Sequence, residues 1–172
     1  MKTKSSATRA IATMLAAGAV LAISTPDALA IRWYSERHPL IAHQKSDSRN
    51  PNRLAAGHGN FYNLKHTWAR SAVYYKDLRP GGRKVYGETK FLYYSPDPYC
   101  GSDLYGRYVT CWHEVASDQT GRSKLGIWEG PWRSDEPLDG NSTQVRGRIH
   151  VCEDQSWMPD DCSAFVTLTF SY

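Results

Sequence analysis

Four cysteines are the residues of this chain whose types and spacing most plainly imply chemistry. Cys100, Cys111, Cys152 and Cys162 form two close pairs, with ten and nine residues between partners. Structural zinc sites usually place paired ligands two to four residues apart, so this spacing speaks for disulfides. Four cysteines allow three connectivities. Sequential pairing, Cys100 with Cys111 and Cys152 with Cys162, closes two turn-rich loops and is the one expected here. Each short loop would stabilise by roughly 2–3 kcal/mol in the chain-entropy description. No thiol then remains as a nucleophile.

Other groupings resemble catalytic patterns and fail on geometry. His113-Glu114 looks like the start of a zinc-protease motif, but that motif needs a helix and a second His where Ser117 stands. Neighbouring strand residues also face opposite ways, which separates His113 from Glu114. Gly121-Arg122-Ser123-Lys124-Leu125 lacks the final glycine of a nucleophile elbow. No glycine-rich phosphate loop is present, and no cofactor is expected. Glu153, Asp154, Asp160 and Asp161 crowd the second cysteine loop. Without EF-hand spacing they read as solubilising carboxylates, and no metal is expected.

Two groupings point to binding. Arg146, Arg148 and His150 alternate with Val145, Gly147, Ile149 and Val151. On a strand the three polar residues share a face at a repeat of about 6.8 Å. That row suits phosphate, sulfate or carboxylate groups, although a solvated outer face has the same pattern. The second grouping is aromatic. All four Phe, six Trp and eleven Tyr lie beyond residue 30. Tyr99, Tyr105, Trp128, Trp132 and Trp157 stand beside turns, where a flat amphipathic ring suits a sugar or a protein.

The elements that must carry these residues are short and β-like. Lys84–Tyr94 alternates, with Val85, Gly87, Thr89, Phe91 and Tyr93 on one side. Tyr105–Val115, Val145–Val151 and Ala164–Tyr172 alternate too. Period 2 with β-branched and aromatic residues marks half-buried strands. Arg79-Pro80-Gly81-Gly82 is a turn signal, expected to join a strand near Ala72–Tyr75 to the Lys84 strand as a hairpin. Leu125, Ile127 and Trp128 give one more short strand; Gly130-Pro131 reads as a break. The expected fold is all-β, a small antiparallel sandwich or barrel of about six to seven strands with two disulfides.

The start of the chain reads as an export leader. Lys2, Lys4 and Arg9 precede an uncharged run, Ile11–Ser24, and Ala28-Leu29-Ala30 is a small-x-small cleavage site. The run is too short to span a bilayer, and the mature chain shows no spanning segment. The style is that of a bacterial secreted protein, cleaved after Ala30. Residues 31–60 then form a polar lead without period 2 or 3.6, open to partial docking through Trp33, Tyr34 and Ile41. Residues 61–172 form the stapled β domain.

Without the leader, 18 Lys/Arg stand against 16 Asp/Glu. So small an excess does not mark a nucleic-acid binder. The expected role is a non-enzymatic extracellular module for a glycan, a cell-wall polymer or a protein. A small secreted hydrolase of polysaccharide or phosphodiester is the alternative, drawing on Glu88, Glu114, His113 or His150 with Arg146 or Arg148. A secreted inhibitor or toxin is a further one.

Overall fold

A computed structural model describes residues 30–45 and 52–172. The leader, apart from Ala30, lies outside the described residues. In chain order the strands are β1 (Ile31–Trp33), β2 (Leu40–His43), β3 (Arg53–Leu64), β4 (Trp68–Asp77) and β5 (Val85–Pro96). They continue with β6 (Thr110–Gln119), β7 (Glu129–Pro137), β8 (Gln144–Glu153), β9 (Asp161–Cys162) and β10 (Val166–Ser171). Among the described residues there is no α-helix, and one 3-10 turn, Pro98–Cys100, precedes β6.

The strands form two five-stranded sheets. Sheet A has the order β1-β3-β4-β7, with β2 also on β3; sheet B has the order β10-β8-β5-β6, with β9 on β8. Every pairing is antiparallel. The core lies between the sheets. Trp33, Phe61 and Val73 come from sheet A, and Val85, Phe91, Ile149 and Val151 from sheet B. Two glycines let the layers close. A Cβ on Gly147 would lie 2.8 Å from the Phe61 ring, and one on Gly57 would overlap Val151 Cγ1. A glycine in a strand here marks the close approach of another layer.

The all-β class and both disulfides stand as expected, Cys100–Cys111 and Cys152–Cys162. They staple opposite ends of sheet B. Cys111 pairs with Ser95 and Cys152 with Tyr86 in the β5 ladder, nine residues or about 30 Å apart along the strand. The alternations of β5, β8 and β10 also hold.

Several expectations are corrected. The strands number ten rather than six or seven, because β1, β2 and β9 are too short to show a period. The polar lead carries β1, β2 and most of β3, and the boundary at residue 60 falls inside β3. Its inward side reads Ala55, Gly57, Gly59, Phe61, so small residues hide the alternation. The Arg79–Gly82 turn does form, with Gly82 N donating to Arg79 O at 3.2 Å. Yet β4 pairs with β3 and β7, whereas β5 pairs with β6 and β8. The connection crosses between sheets and is no hairpin; a turn motif sets a reversal, not the sheet that receives the next strand. Gly130-Pro131 sits inside β7, at an irregularity in its pairing with β4. Proline is tolerated there because β7 is an edge strand. Leu125–Trp128 is a loop before β7, and Tyr105 belongs to the loop before β6.

Candidate functional site

The outer face of sheet A builds a cleft of about 630 Å³. His58 and Asn60 alternate on β3 and so share its outer face, while Gly57, Gly59 and Phe61 turn inward. In the ladders His58 lies opposite Tyr74, and Asn60 opposite Arg32. A tight reversal after β1 then brings Ser35, Glu36 and Arg37 over this face. It is closed by mutual hydrogen bonds between the backbones of Ser35 and His38, 3.2 and 3.1 Å. Tyr34 enters the reversal at φ 53°. Trp128, from the loop before β7, forms the remaining wall.

The aromatic groups of the cleft are locked together. The His58 ring stacks on Tyr74, with centroids 4.8 Å apart, and meets the Trp128 ring edge-on at 4.7 Å. Lys76 Nζ sits 4.7 Å from the centre of the Trp128 ring. Burial holds the His58 imidazole below its ordinary pKa; the field of Glu36 opposes this and that of Arg32 adds to it. His58 is therefore mainly neutral at pH 7. Among the described residues Arg32 and Arg37 enter no ion pair. Among the described residues Glu36 is the single carboxylate lining the cleft. The arrangement offers two free guanidiniums, an amide, a hydroxyl and an imidazole to one ligand, which suits an oxyanion flanked by polar groups.

Of the residues singled out by sequence, Trp128 lies in this cleft. The others are dispersed. Tyr99, in the Pro98–Cys100 turn between β5 and β6, and Trp157, inside the Cys152–Cys162 loop, are 96% and 97% exposed at opposite ends of sheet B. Tyr105 is exposed on the same loop as Tyr99. Trp132, on β7 opposite Val73, has its ring beside Gly121 at the edge of sheet A. Arg146, Arg148 and His150 do share the outer face of β8. The guanidinium of Arg146 sits 3.9 Å over Trp112 and that of Arg148 4.3 Å over Phe165. His150, 7% exposed, stacks on Phe165 at 4.0 Å and hydrogen-bonds Glu88 at 2.6 Å.

Of the proposed hydrolase groups, Glu88 and His150 meet beside Arg148, whereas His113 and Glu114 are separated. His113 pairs with Tyr93 on the inner side, and Glu114 with Leu92 on the outer side. Glu114 is bound to Lys90, and His113 lies 3.6 Å from Asp97. In the acidic loop, Asp160 accepts from Gln155 N and Tyr86 Oη, Asp161 from Lys45 N, and Asp154 from Arg122. His150 with Cys152 and Cys162, and Asp97 and His113 with Cys100, bring potential metal ligands within 4.8 Å. In both groups the cysteines are in disulfides and supply no thiolate.

Arg32, Arg37, His58, Asn60 and Tyr74 were not found from sequence, because most of them lie in the stretch read as a lead. The signal was present in Ala55–Asn63, where His58, Asn60 and Tyr62 alternate with small residues. No family model matches the chain, and neither a curated protein nor a solved structure matches it.

Proposed function

We propose that this chain is an exported, non-enzymatic binding module whose sheet A cleft takes an acidic saccharide. One observation carries the reading: two guanidiniums without acidic partners among the described residues face a cleft of about 630 Å³ beside His58, Asn60 and the Trp128 wall. A uronic-acid carboxylate would pair with Arg32 and Arg37, and sugar hydroxyls would meet Asn60, Ser35 and Tyr74. The leader pattern and the two disulfides support export, and no described helix is long and apolar enough to cross a membrane.

The test is calorimetric titration with oligogalacturonate and with its carboxyl-reduced, neutral counterpart. Arg32→Gln/Arg37→Gln should weaken binding of the acidic sugar about tenfold or more, in line with the roughly 1.5–3 kcal/mol of a charged hydrogen bond. Equal binding of the neutral sugar, or an unaffected double variant, would sink the reading. One observation favours a second reading: His58, held neutral, shares the cleft with Glu36 as an acid–base pair would. Release of new reducing ends during the titration would establish hydrolysis in place of binding.

A further inference from the structure

Sheet B carries an electrostatic imbalance on its outer face that the cleft does not use. In the β5–β8 ladder, Lys90 lies directly opposite Arg148, and the next outward position on β8 is Arg146. Like charges opposite one another in an antiparallel pair destabilise it. The acids on this face are engaged elsewhere than on the two arginines. Glu114 is committed to Lys90 at 3.1 Å, and Glu88 to His150 at 2.6 Å and Ser117 at 2.8 Å. Arg146 donates to the Thr169 hydroxyl at 3.2 Å, and among the described residues neither Arg146 nor Arg148 enters an ion pair. Arg146 and Arg148 therefore leave one strand face at backbone positions about 6.8 Å apart. Each is held on a ring, Trp112 or Phe165, so its fork is already placed.

We infer that this face binds a linear anionic polysaccharide, whose carboxylate or sulfate groups seat on Arg146 and Arg148 with Lys90 beside them. Glu114 neutralises Lys90, but among the described residues no carboxylate reaches Arg146 or Arg148, and an external anion would supply the missing counter-charge. Single-stranded nucleic acid fits less well. It needs open ring faces for base stacking, and here Trp112, Phe165 and Tyr86 are each covered by an arginine. The site lies on the sheet opposite the cleft and does not rest on the cleft's reading. With both sites occupied, one molecule would bridge two chains.

The test uses the full mature chain with its disulfides formed and heparin as the probe, in an Arg32→Gln/Arg37→Gln background that silences the cleft. Affinity is read from 50 to 300 mM NaCl, with neutral dextran and a single-stranded oligonucleotide as comparisons. Adding Arg146→Gln/Arg148→Gln should weaken heparin binding about tenfold or more and flatten the salt slope by about two, one per cation removed. A location readout needs no arginine variant: bound heparin should protect Lys90 from acetylation at least threefold. Unchanged affinity together with unprotected Lys90 would overturn the proposal. So would dextran binding as tightly as heparin, or the oligonucleotide binding tighter. Failure of the cleft would appear elsewhere, in oligogalacturonate titrations that ignore Arg32 and Arg37.

Discussion

His150 shows how one side chain links this fold to pH. Its ring is stacked on Phe165, hydrogen-bonded to Glu88, 3.6 Å from Cys152 Sγ, and in the field of Lys90 and Arg148. Burial lowers its pKa, and Glu88 only partly offsets this. The unfolded chain therefore takes up a proton at His150 at higher pH than the folded chain does, so stability falls as pH drops through about 6.5. His58, also lowered by burial, acts in the same direction. Burial pushes Glu88 up, but hydrogen bonds from His150 and Ser117 outweigh it, so its contribution is lost at still lower pH. Burial raises the carboxyls of Glu136 and Glu153, which act oppositely, above the ordinary carboxyl range. Urea midpoints should accordingly fall from pH 7.5 to pH 6, and His150→Gln should flatten that fall. An equally steep fall in the variant would remove His150 from the account. Sequence did place this histidine on one face with Arg146 and Arg148, because strand period alone decides facing. It could not show that the same face supplies Glu88 and Phe165, which arrive from other parts of the chain.

The β3–β4 hairpin is an element whose turn residues work against it. Lys65 and His66 stand at φ 54° and 53°, and Thr67 N donates to Leu64 O at 3.1 Å. Within the three-residue connection of residues 65–67, both central residues of this turn are left-handed, a conformation that favours Asn-Gly. A left-handed non-glycine residue costs roughly 1–2 kcal/mol. Replacing Lys65-His66 by Asn-Gly should raise stability by about 1 kcal/mol or more in urea unfolding, despite losing the 3.5 Å contact between Asn63 and His66. A neutral or destabilised variant would mean that His66 contributes more than its backbone costs. The same residues explain why this hairpin was illegible. Lys-His carries no turn signal, whereas Arg79-Pro80-Gly81-Gly82 carries a strong one and was read as the hairpin. Elements with regular alternation, β5 and β8 above all, were legible because both their faces obey period 2. β7 was not, since Gly130-Pro131 interrupts the pattern of an edge strand that can accommodate it.

At the scale of the whole molecule, the question is whether residues 31–60 belong to the sandwich. Their polarity and lack of period argue for a loose lead, yet Trp33 is 2% exposed and Ala42 fully buried. The Trp33 ring lies against Gly57 and Gly59, filling the space those residues leave on the inner face of β3. β1 and β2 also cover the edge of β3 that β4 does not. Removing them would uncover core and open a strand edge to other chains. A loosely docked lead would contribute under about 1 kcal/mol, as surface positions do. A packed Trp33 should cost about 3–5 kcal/mol on Trp33→Ala, a large share of the 5–15 kcal/mol typical of a domain. Trp33→Phe should cost less than Trp33→Ala, because it keeps a ring and removes the buried Nε1 donor, which has no partner among the described residues. A chain beginning at Asn52 should lose cooperative urea unfolding and near-ultraviolet dichroism, and should associate through β3. If that shortened chain instead unfolds cooperatively at the midpoint of the chain from Ile31, the strands before β3 are accessories, and a cleft that depends on Arg32 and Arg37 loses its scaffold.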